Sequence, residues 1–261
     1  MVIAISSTVL AQNGYTTPAD KNNNGVYDFQ EVTNLTIGCP NDTTVANATD
    51  DCSAAINMAI PSVLGYCGAF TLSNDFNGTG DASGTYPVGT TTVNWIAVDE
   101  RSDTARCSMT VTVTDSQNPT ITCPAAVLAT TNTACSATGV VLGTPTTADN
   151  CGVLSVTNNA PAAFPTGSTN VTWTVTDIHG NTATCNQTVT VTDNVVPTIT
   201  CPANVAATTN SVSTATDVAL GTPVTADNCG VASVTNNAPG AFPIGVTNDT
   251  WTVTDNSGNT A

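Results

Sequence analysis

Residues 121–183 and 199–261 align without a gap at an offset of 78, and 47 of the 63 positions are identical. A duplication at this spacing means tandem small units that fold by one set of rules, not a single large core. Landmarks recur in register: Ile121-Thr-Cys-Pro with Ile199-Thr-Cys-Pro, Ala148-Asp-Asn-Cys-Gly with Ala226-Asp-Asn-Cys-Gly, Phe164-Pro-x-Gly with Phe242-Pro-x-Gly, and Trp173-Thr-Val-Thr-Asp with Trp251-Thr-Val-Thr-Asp. A more divergent first copy carries Ile37-Gly-Cys-Pro, Tyr86-Pro-Val-Gly, Trp95-Ile-Ala-Val-Asp and Cys107-Ser-Met-Thr-Val-Thr-Val-Thr-Asp115, and it lacks the Ala-Asp-Asn before Cys67. The organisation expected is an N-terminal donor strand and calcium-loop connector over 1–32, followed by repeats over 33–116, 117–194 and 195–261, the last incomplete.

Thr110-Val-Thr-Val-Thr and Thr188-Val-Thr-Val-Thr alternate strictly, which puts Val on one face and Thr on the other, as in a half-buried strand. Val171, Trp173 and Val175 share a face in the same way. The chain is rich in Thr, Val, Asn, Gly and Pro and poor in helix formers. Strands broken by turns every several residues predict an all-β, two-sheet sandwich for each copy, the last lacking its closing strand.

Three Lys and Arg (Lys21, Arg101, Arg106) face nineteen Asp and Glu, for a formal charge of −16. Phosphate neutralisation and attraction to anionic lipid are nearly unavailable, so nucleic acid and acidic membranes are poor partners. An acidic, oxygen-rich chain suits divalent cations, and calcium is the first ligand to expect. No apolar run reaches the roughly 18 residues that span a bilayer, so membrane insertion is not expected. The opening residues read as mature sequence because they lack the basic start of a leader.

Pro-Thr-Ile-Thr-Cys-Pro, Ala-Asp-Asn-Cys-Gly, Phe-Pro-x-Gly, Val-Thr-Asp-x-x-Gly-Asn-Thr-Ala-Thr-Cys and Thr-Val-Thr-Val-Thr-Asp fall in order along each unit. This series resembles the hyalin repeat, an immunoglobulin-like module of extracellular proteins, over roughly residues 33–261. The resemblance implies tandem immunoglobulin-like β-sandwiches and an adhesive or structural setting, not a reaction.

Ten cysteines without a Cys-x-x-Cys pair or a His cluster point to structural disulfides in an oxidising compartment, hence a secreted or cell-surface chain. Four cysteines per copy permit three connectivities. The third copy has Ser213 where Cys135 aligns and ends before the position matching Cys185, so the second and fourth cysteines vanish together. A bonded pair lost together strands no thiol. That logic predicts Cys39–Cys67, Cys52–Cys107, Cys123–Cys151, Cys135–Cys185 and Cys201–Cys229, each worth roughly 3–4 kcal/mol by loop entropy.

Asp20-Lys-Asn22-Asn-Asn24-Gly25-Val26-Tyr-Asp28-Phe-Gln-Glu31 fills the twelve-residue calcium loop. Asp20, Asn22 and Asn24 would give single oxygens, Val26 a carbonyl, Asp28 a direct or water-mediated oxygen, and Glu31 both carboxylate oxygens. Asp115, Asp193 and the pairs Asp149-Asn150 and Asp227-Asn228 read as turn-capping residues at domain ends, where calcium stiffening is the other reading. His179, the only histidine, stands where the sister copy has Ser257 and reads as loop. Without a second His or Gly-x-Ser-x-Gly, hydrolytic triads are excluded and no enzyme activity is expected. Sequons begin at Asn34, Asn41, Asn47, Asn77, Asn170, Asn186 and Asn248, and Thr43 and Thr104 sit in bacterial-type O-glycosylation patterns.

An incomplete third sandwich would expose an apolar groove and unpaired strand edges. The segment 2–10 is β-branched and uncharged, and Val2, Ile3, Ile5 and Val9 are its candidate donor residues. The expected partner is therefore a further copy of the chain, head to tail, giving an extracellular filament by donor-strand complementation. The alternative is a spacer or adhesive segment of a larger cell-surface adhesin that meets surface glycans or proteins.

Overall fold

The computed structural model describes residues 35–66 and 69–261, and among them every regular element is a β-strand. Contacts divide the chain into two units. Among the described residues, one comprises 35–66 and 69–119 together with 149–153 and 177–181, and the other comprises 120–148, 154–176 and 182–261. Two loops of the second repeat thus belong with the first repeat.

In the first repeat a four-stranded sheet runs in the order Thr43–Ala46, Thr104–Thr114, Gly89–Asp99, Phe70–Asn74. The first pair is parallel, with Thr43 opposite Val111, and the long central pair is antiparallel, with Trp95 opposite Cys107. Two short antiparallel pairs complete the sandwich: Thr36–Gly38 with Ser62–Leu64, and Ser53–Ile56 with Gly84–Pro87. The alternation expected from sequence holds, since Val93, Trp95, Val111 and Val113 are buried in one cluster with Tyr86 and Met109. Tyr86 donates its hydroxyl to Ala82 O at 2.6 Å and stacks on Phe76 at 4.2 Å between ring centroids.

The second repeat repeats this plan, offset by 84 residues from Cys39 to Cys123 and by 78 from Trp95 to Trp173. Its sheet runs Val127–Thr130, Thr182–Thr192, Gly167–Asp177, Val153–Asn158, and Phe164, Val171, Trp173, Val189 and Val191 form the core. One buried polar side chain organises that core. Gln187 donates to Ala125 O and Leu142 O, both at 2.7 Å, and accepts from Trp173 Nε1 at 3.0 Å. In the first repeat Met109 stands at this position, and Trp95 Nε1 is buried without a partner.

The third repeat pairs Thr198–Thr200 with Val224–Ala226, Thr214–Thr216 with Ala241–Pro243, and Val231–Asn236 with Trp251–Asp255. Ala261 exchanges backbone hydrogen bonds with Val253 at 3.1 and 2.9 Å. A cleft of about 520 Å³ lies between its strands, lined among others by Cys201, Val205, Leu220, Phe242, Asp249 and Trp251.

The disulfides correct every predicted pairing. Within a repeat the first cysteine joins the fourth, Cys39 to Cys107 and Cys123 to Cys185, each with 5.7 Å between Cα atoms. Each bond ties a short edge strand to the strand that faces the core Trp. The second cysteine instead joins the third cysteine of the next repeat, Cys52 to Cys151 and Cys135 to Cys229. Cys39–Cys67, Cys52–Cys107, Cys123–Cys151, Cys135–Cys185 and Cys201–Cys229 are therefore not formed, and Cys201 is free and exposed. The paired-loss logic failed because the second and fourth cysteines of a repeat have different partners. Sequence separations of 62 to 99 residues make each cross-link worth about 4–5 kcal/mol in the chain-entropy account.

Gln187→Met should unpair two carbonyls and an indole N–H and cost about 1–3 kcal/mol. Met109→Leu, which keeps shape, should cost less than about 1.5 kcal/mol. Hydrogen exchange of the amides in Gly167–Asp177 and Gly89–Asp99, respectively, reads both changes.

Candidate functional site at the repeat junctions

The two inter-repeat disulfides mark two equivalent sites, each contained in one of the contact units. The first is built from the end of Thr104–Thr114, the turn at 149–152 and the turn at 177–181. The second is built from the end of Thr182–Thr192 and the turns at 227–230 and 255–259. Inward alternation of Val171, Trp173 and Val175 continues to Asp177, so the strand delivers a fully buried carboxylate at its tip. Asp255, 2% exposed, follows Val253 in the same way.

Local hydrogen bonds fix these turns. Asp177 Oδ1 accepts from the N–H groups of His179 at 2.8 Å and Asn181 at 2.9 Å, while Oδ2 accepts from Asn181 Nδ2 at 2.8 Å. Asp255 repeats the pattern with Ser257 and Asn259. Gly180 and Gly258 close the turns at φ of 95° and 91°, a region open to glycine. Asp149 Oδ1 accepts from the N–H groups of Cys151 and Gly152, and Asp227 Oδ1 from that of Cys229, all at 2.8 Å.

Two amides, one from each turn, stitch each junction to the preceding repeat. Asn150 donates to Asp51 O at 3.0 Å, and its counterpart Asn228 donates to Ala134 O and Asp193 Oδ1, both at 3.1 Å. Asn181 reaches Asp115 O at 3.4 Å, and Asn259 reaches Asp193 O at 3.0 Å. The acceptors Asp51 O and Ala134 O immediately precede Cys52 and Cys135, so disulfide and amides clamp the same loop.

Each clamp gathers three carboxylates. Ligand oxygens of Asp115, Asp149 and Asp177 lie within 4.8 Å of one another, and so do those of Asp193, Asp227 and Asp255. The two sets are related by the offset of 78. Asp115 Oδ2 meets His179 Nδ1 at 3.1 Å, and Asp193 Oδ2 accepts from Ser257 Oγ at 3.3 Å. Burial opposes ionisation of Asp177, Asp193 and Asp255, but hydrogen bonds from Asn181, Asn228 and Asn259 respectively, joined by neighbouring N–H groups, hold all three below the ordinary Asp value. A depressed folded value contributes stability above the ordinary Asp pKa, about 3.9, that disappears as pH falls through the folded value. At neutral pH Asp177, Asp193 and Asp255 are therefore charged.

Turn capping at Asp115, Asp149, Asp193 and Asp227 was legible in the sequence. Asp177 and Asp255 were missed, although their recurrence beside the other four at one offset is the signal that finds them. His179, read as loop, touches Asp115 with its ring. The calcium-loop residues Asp20, Asn22, Asn24, Val26, Asp28 and Glu31 lie outside the described residues, as do Val2, Ile3, Ile5, Val9, Asn34 and Cys67. Asn47 is corrected as a glycan acceptor: it is buried, and its Nδ2 donates to Asp51 O at 2.9 Å and Asp115 Oδ1 at 3.2 Å. Asn41, Asn77, Asn170, Asn186, Asn248 and Thr104 are exposed and Thr43 is half-buried. No helix among the described residues is long and apolar enough to cross a membrane.

The family model described as HYR domain matches residues 114–191 and 192–261. Hyalin of Strongylocentrotus purpuratus is 31% identical over 270 aligned residues, covering 97% of this chain and 22% of that protein. Hyalin of Lytechinus variegatus is 31% identical over 221 residues, covering 80% of this chain and 41% of that protein. The chain thus spans less than half the length of these relatives. Among solved structures, protocadherin gammaB7 EC3-6 matches at a TM-score of 0.32 and 16% identity over 84% of this chain and 70% of that one. Mouse cadherin-23 EC22-24 matches at 0.33 and 15% over 62% and 66%.

A peptide map of the unreduced protein should join Cys52 to Cys151 and Cys135 to Cys229, and Cys201 should alkylate without reduction. Recovery of Cys135 joined to Cys185 would contradict the junctions.

Proposed function

Because the chain belongs to the HYR domain family, we propose that it is a load-bearing spacer and adhesive segment of a larger secreted or cell-surface protein. The observation that carries this reading is the cross-link from each repeat into the next, Cys52–Cys151 and Cys135–Cys229. A chain that merely folds needs bonds within its domains, and Cys39–Cys107 and Cys123–Cys185 supply those. Bonds between repeats add nothing to an isolated core but carry tension past it. Disulfides persist in oxidising compartments, which supports an extracellular setting. Calcium is the ion proposed to serve the chain, with Asp20–Glu31 as one binding loop, and other proteins or surface glycans are the proposed partners.

Pulled from its ends in oxidising buffer, the protein should release, between Cys52 and Cys229, no more than the stretch from Cys135 to Cys151 where the two inter-repeat bonds overlap; the other residues of that interval are bypassed by the bonds, whose sequence separations are 99 and 94 residues. Reductant should release them, each residue adding about 3.3–3.6 Å. Release of the full contour without reductant would sink the load-bearing reading.

Head-to-tail assembly is the second reading, favoured by the cleft of the third repeat, where residues 2–10 of another copy are the proposed occupant. Deleting residues 1–11 should then abolish polymers in sedimentation. Polymers that survive the deletion leave the spacer reading alone.

A further inference from the structure

We propose that Asp193, Asp227 and Asp255 hold a calcium ion at the second junction, and that Asp115, Asp149 and Asp177 hold one at the first. The distances suit a single ion: calcium takes oxygens at about 2.3–2.6 Å, so ligands on its opposite sides lie about 5 Å apart, and each set falls within 4.8 Å. Independent of the clustering, Asp149 Oδ2 and Asp227 Oδ2 are buried oxygens without a hydrogen-bond partner, at the same place in both junctions. Asn228 Oδ1, beside Asp227, is a third such oxygen. All three orphans are acceptors. The donors nearby, the turn N–H groups and the amides of Asn228 and Asn259, are already spent on other oxygens of the same sites.

A buried acceptor left unpaired costs about 1–3 kcal/mol, and more when it is charged. Three carboxylates at one junction also repel one another. A cationic side chain would answer both needs, but the chain has no Lys or Arg after Arg106. A divalent cation answers both at once. Its ligands would be hard oxygens, since Cys151 and Cys229 are consumed in disulfides, which favours calcium over zinc or copper. Calcium also suits crowded protein oxygens better than magnesium, which keeps its waters. His179 already engages Asp115 Oδ2, so the second site, with only the Ser257 hydroxyl on the corresponding oxygen, is the tighter.

The proposal stands apart from the load-bearing reading, because titration can fail while the disulfides still carry tension, and the converse. Calorimetric titration of the whole 261-residue chain with calcium chloride, after chelator treatment, compares the parent with D227N and with D149N/D227N. Bound calcium should fall by one in the first variant and by two in the second, or the affected sites should weaken at least tenfold. An ion in the loop at residues 20–31 contributes equally to all three proteins. In chelator, D227N should melt at or above the parent temperature, because Asn keeps the acceptor for Cys229 N–H and removes repulsion. With calcium, the parent should gain more than the variant. Absence of calcium heat in the parent, unchanged stoichiometry and affinity in D149N/D227N, or a lower melting temperature of D227N in chelator would each overturn the proposal. If D227N loses the Cys135–Cys229 peptide, D193N gives the same readout at the same site.

Discussion

The bond from Cys135 to Cys229, like that from Cys52 to Cys151, constrains more of the structure than its two residues suggest. With Cα atoms 4.6 and 4.9 Å apart, each bond pins the turn after Ala148 or Ala226 against the loop that opens the short strand of the preceding repeat. Asn150 and Asn228 can then reach the carbonyls beside those cysteines. Once they do, Asp149 and Asp227 are fixed where Asp115 and Asp193 end their own strands. The acid cluster is thus a consequence of the cross-link and not an independent accretion of charge.

Much of the fold was legible because it rests on period-two alternation and on turn chemistry, both local. Val111, Val113, Val171, Trp173 and Val175 went inside as their spacing required. The cysteine pairing was not legible, because an array offers each thiol partners in its own repeat and in the next, and spacing alone does not rank them. The cysteine that Ser213 replaces reads in sequence as half of an internal pair. In the structure the cysteine at that position serves the following repeat, so its loss says nothing about the fourth cysteine. The carboxylate sites were half legible for a similar reason: each Asp caps a turn visible in sequence, whereas their convergence is set by a contact between repeats.

The cores show how little of this depends on one packing solution. Trp173 meets Gln187, which also satisfies two carbonyls, whereas Trp95 meets Met109 and leaves its N–H unpaired. Both sandwiches keep the same register, with Trp opposite Cys107 or Cys185. A thioether fills the volume of the amide but cannot replace its three hydrogen bonds, so the two repeats hold one topology at different internal cost.

The duplication itself separates what each face of a repeat is for. Between the second and third repeats, the turns that face backward are nearly unchanged: Asp149-Asn-Cys-Gly152 recurs as Asp227-Asn-Cys-Gly230, and Gly180-Asn181 as Gly258-Asn259. The forward loop is not kept, since Thr133-Ala-Cys-Ser136 has become Ser211-Val-Ser-Thr214. Packing within the sandwich does not explain this split, because the short strands after both forward loops, Ser136–Thr138 and Thr214–Thr216, pair in the same register with Ala163–Pro165 and Ala241–Pro243. What differs is the demand on the loop. A backward face must present one Cys, two Asn and two Asp to its predecessor in fixed geometry, and the first repeat, with Tyr66 before Cys67, has no such set to present. The two acid clusters therefore fall where a complete backward face meets a forward loop that bears cysteine, and that coincidence ties the covalent link and the charge cluster into one device.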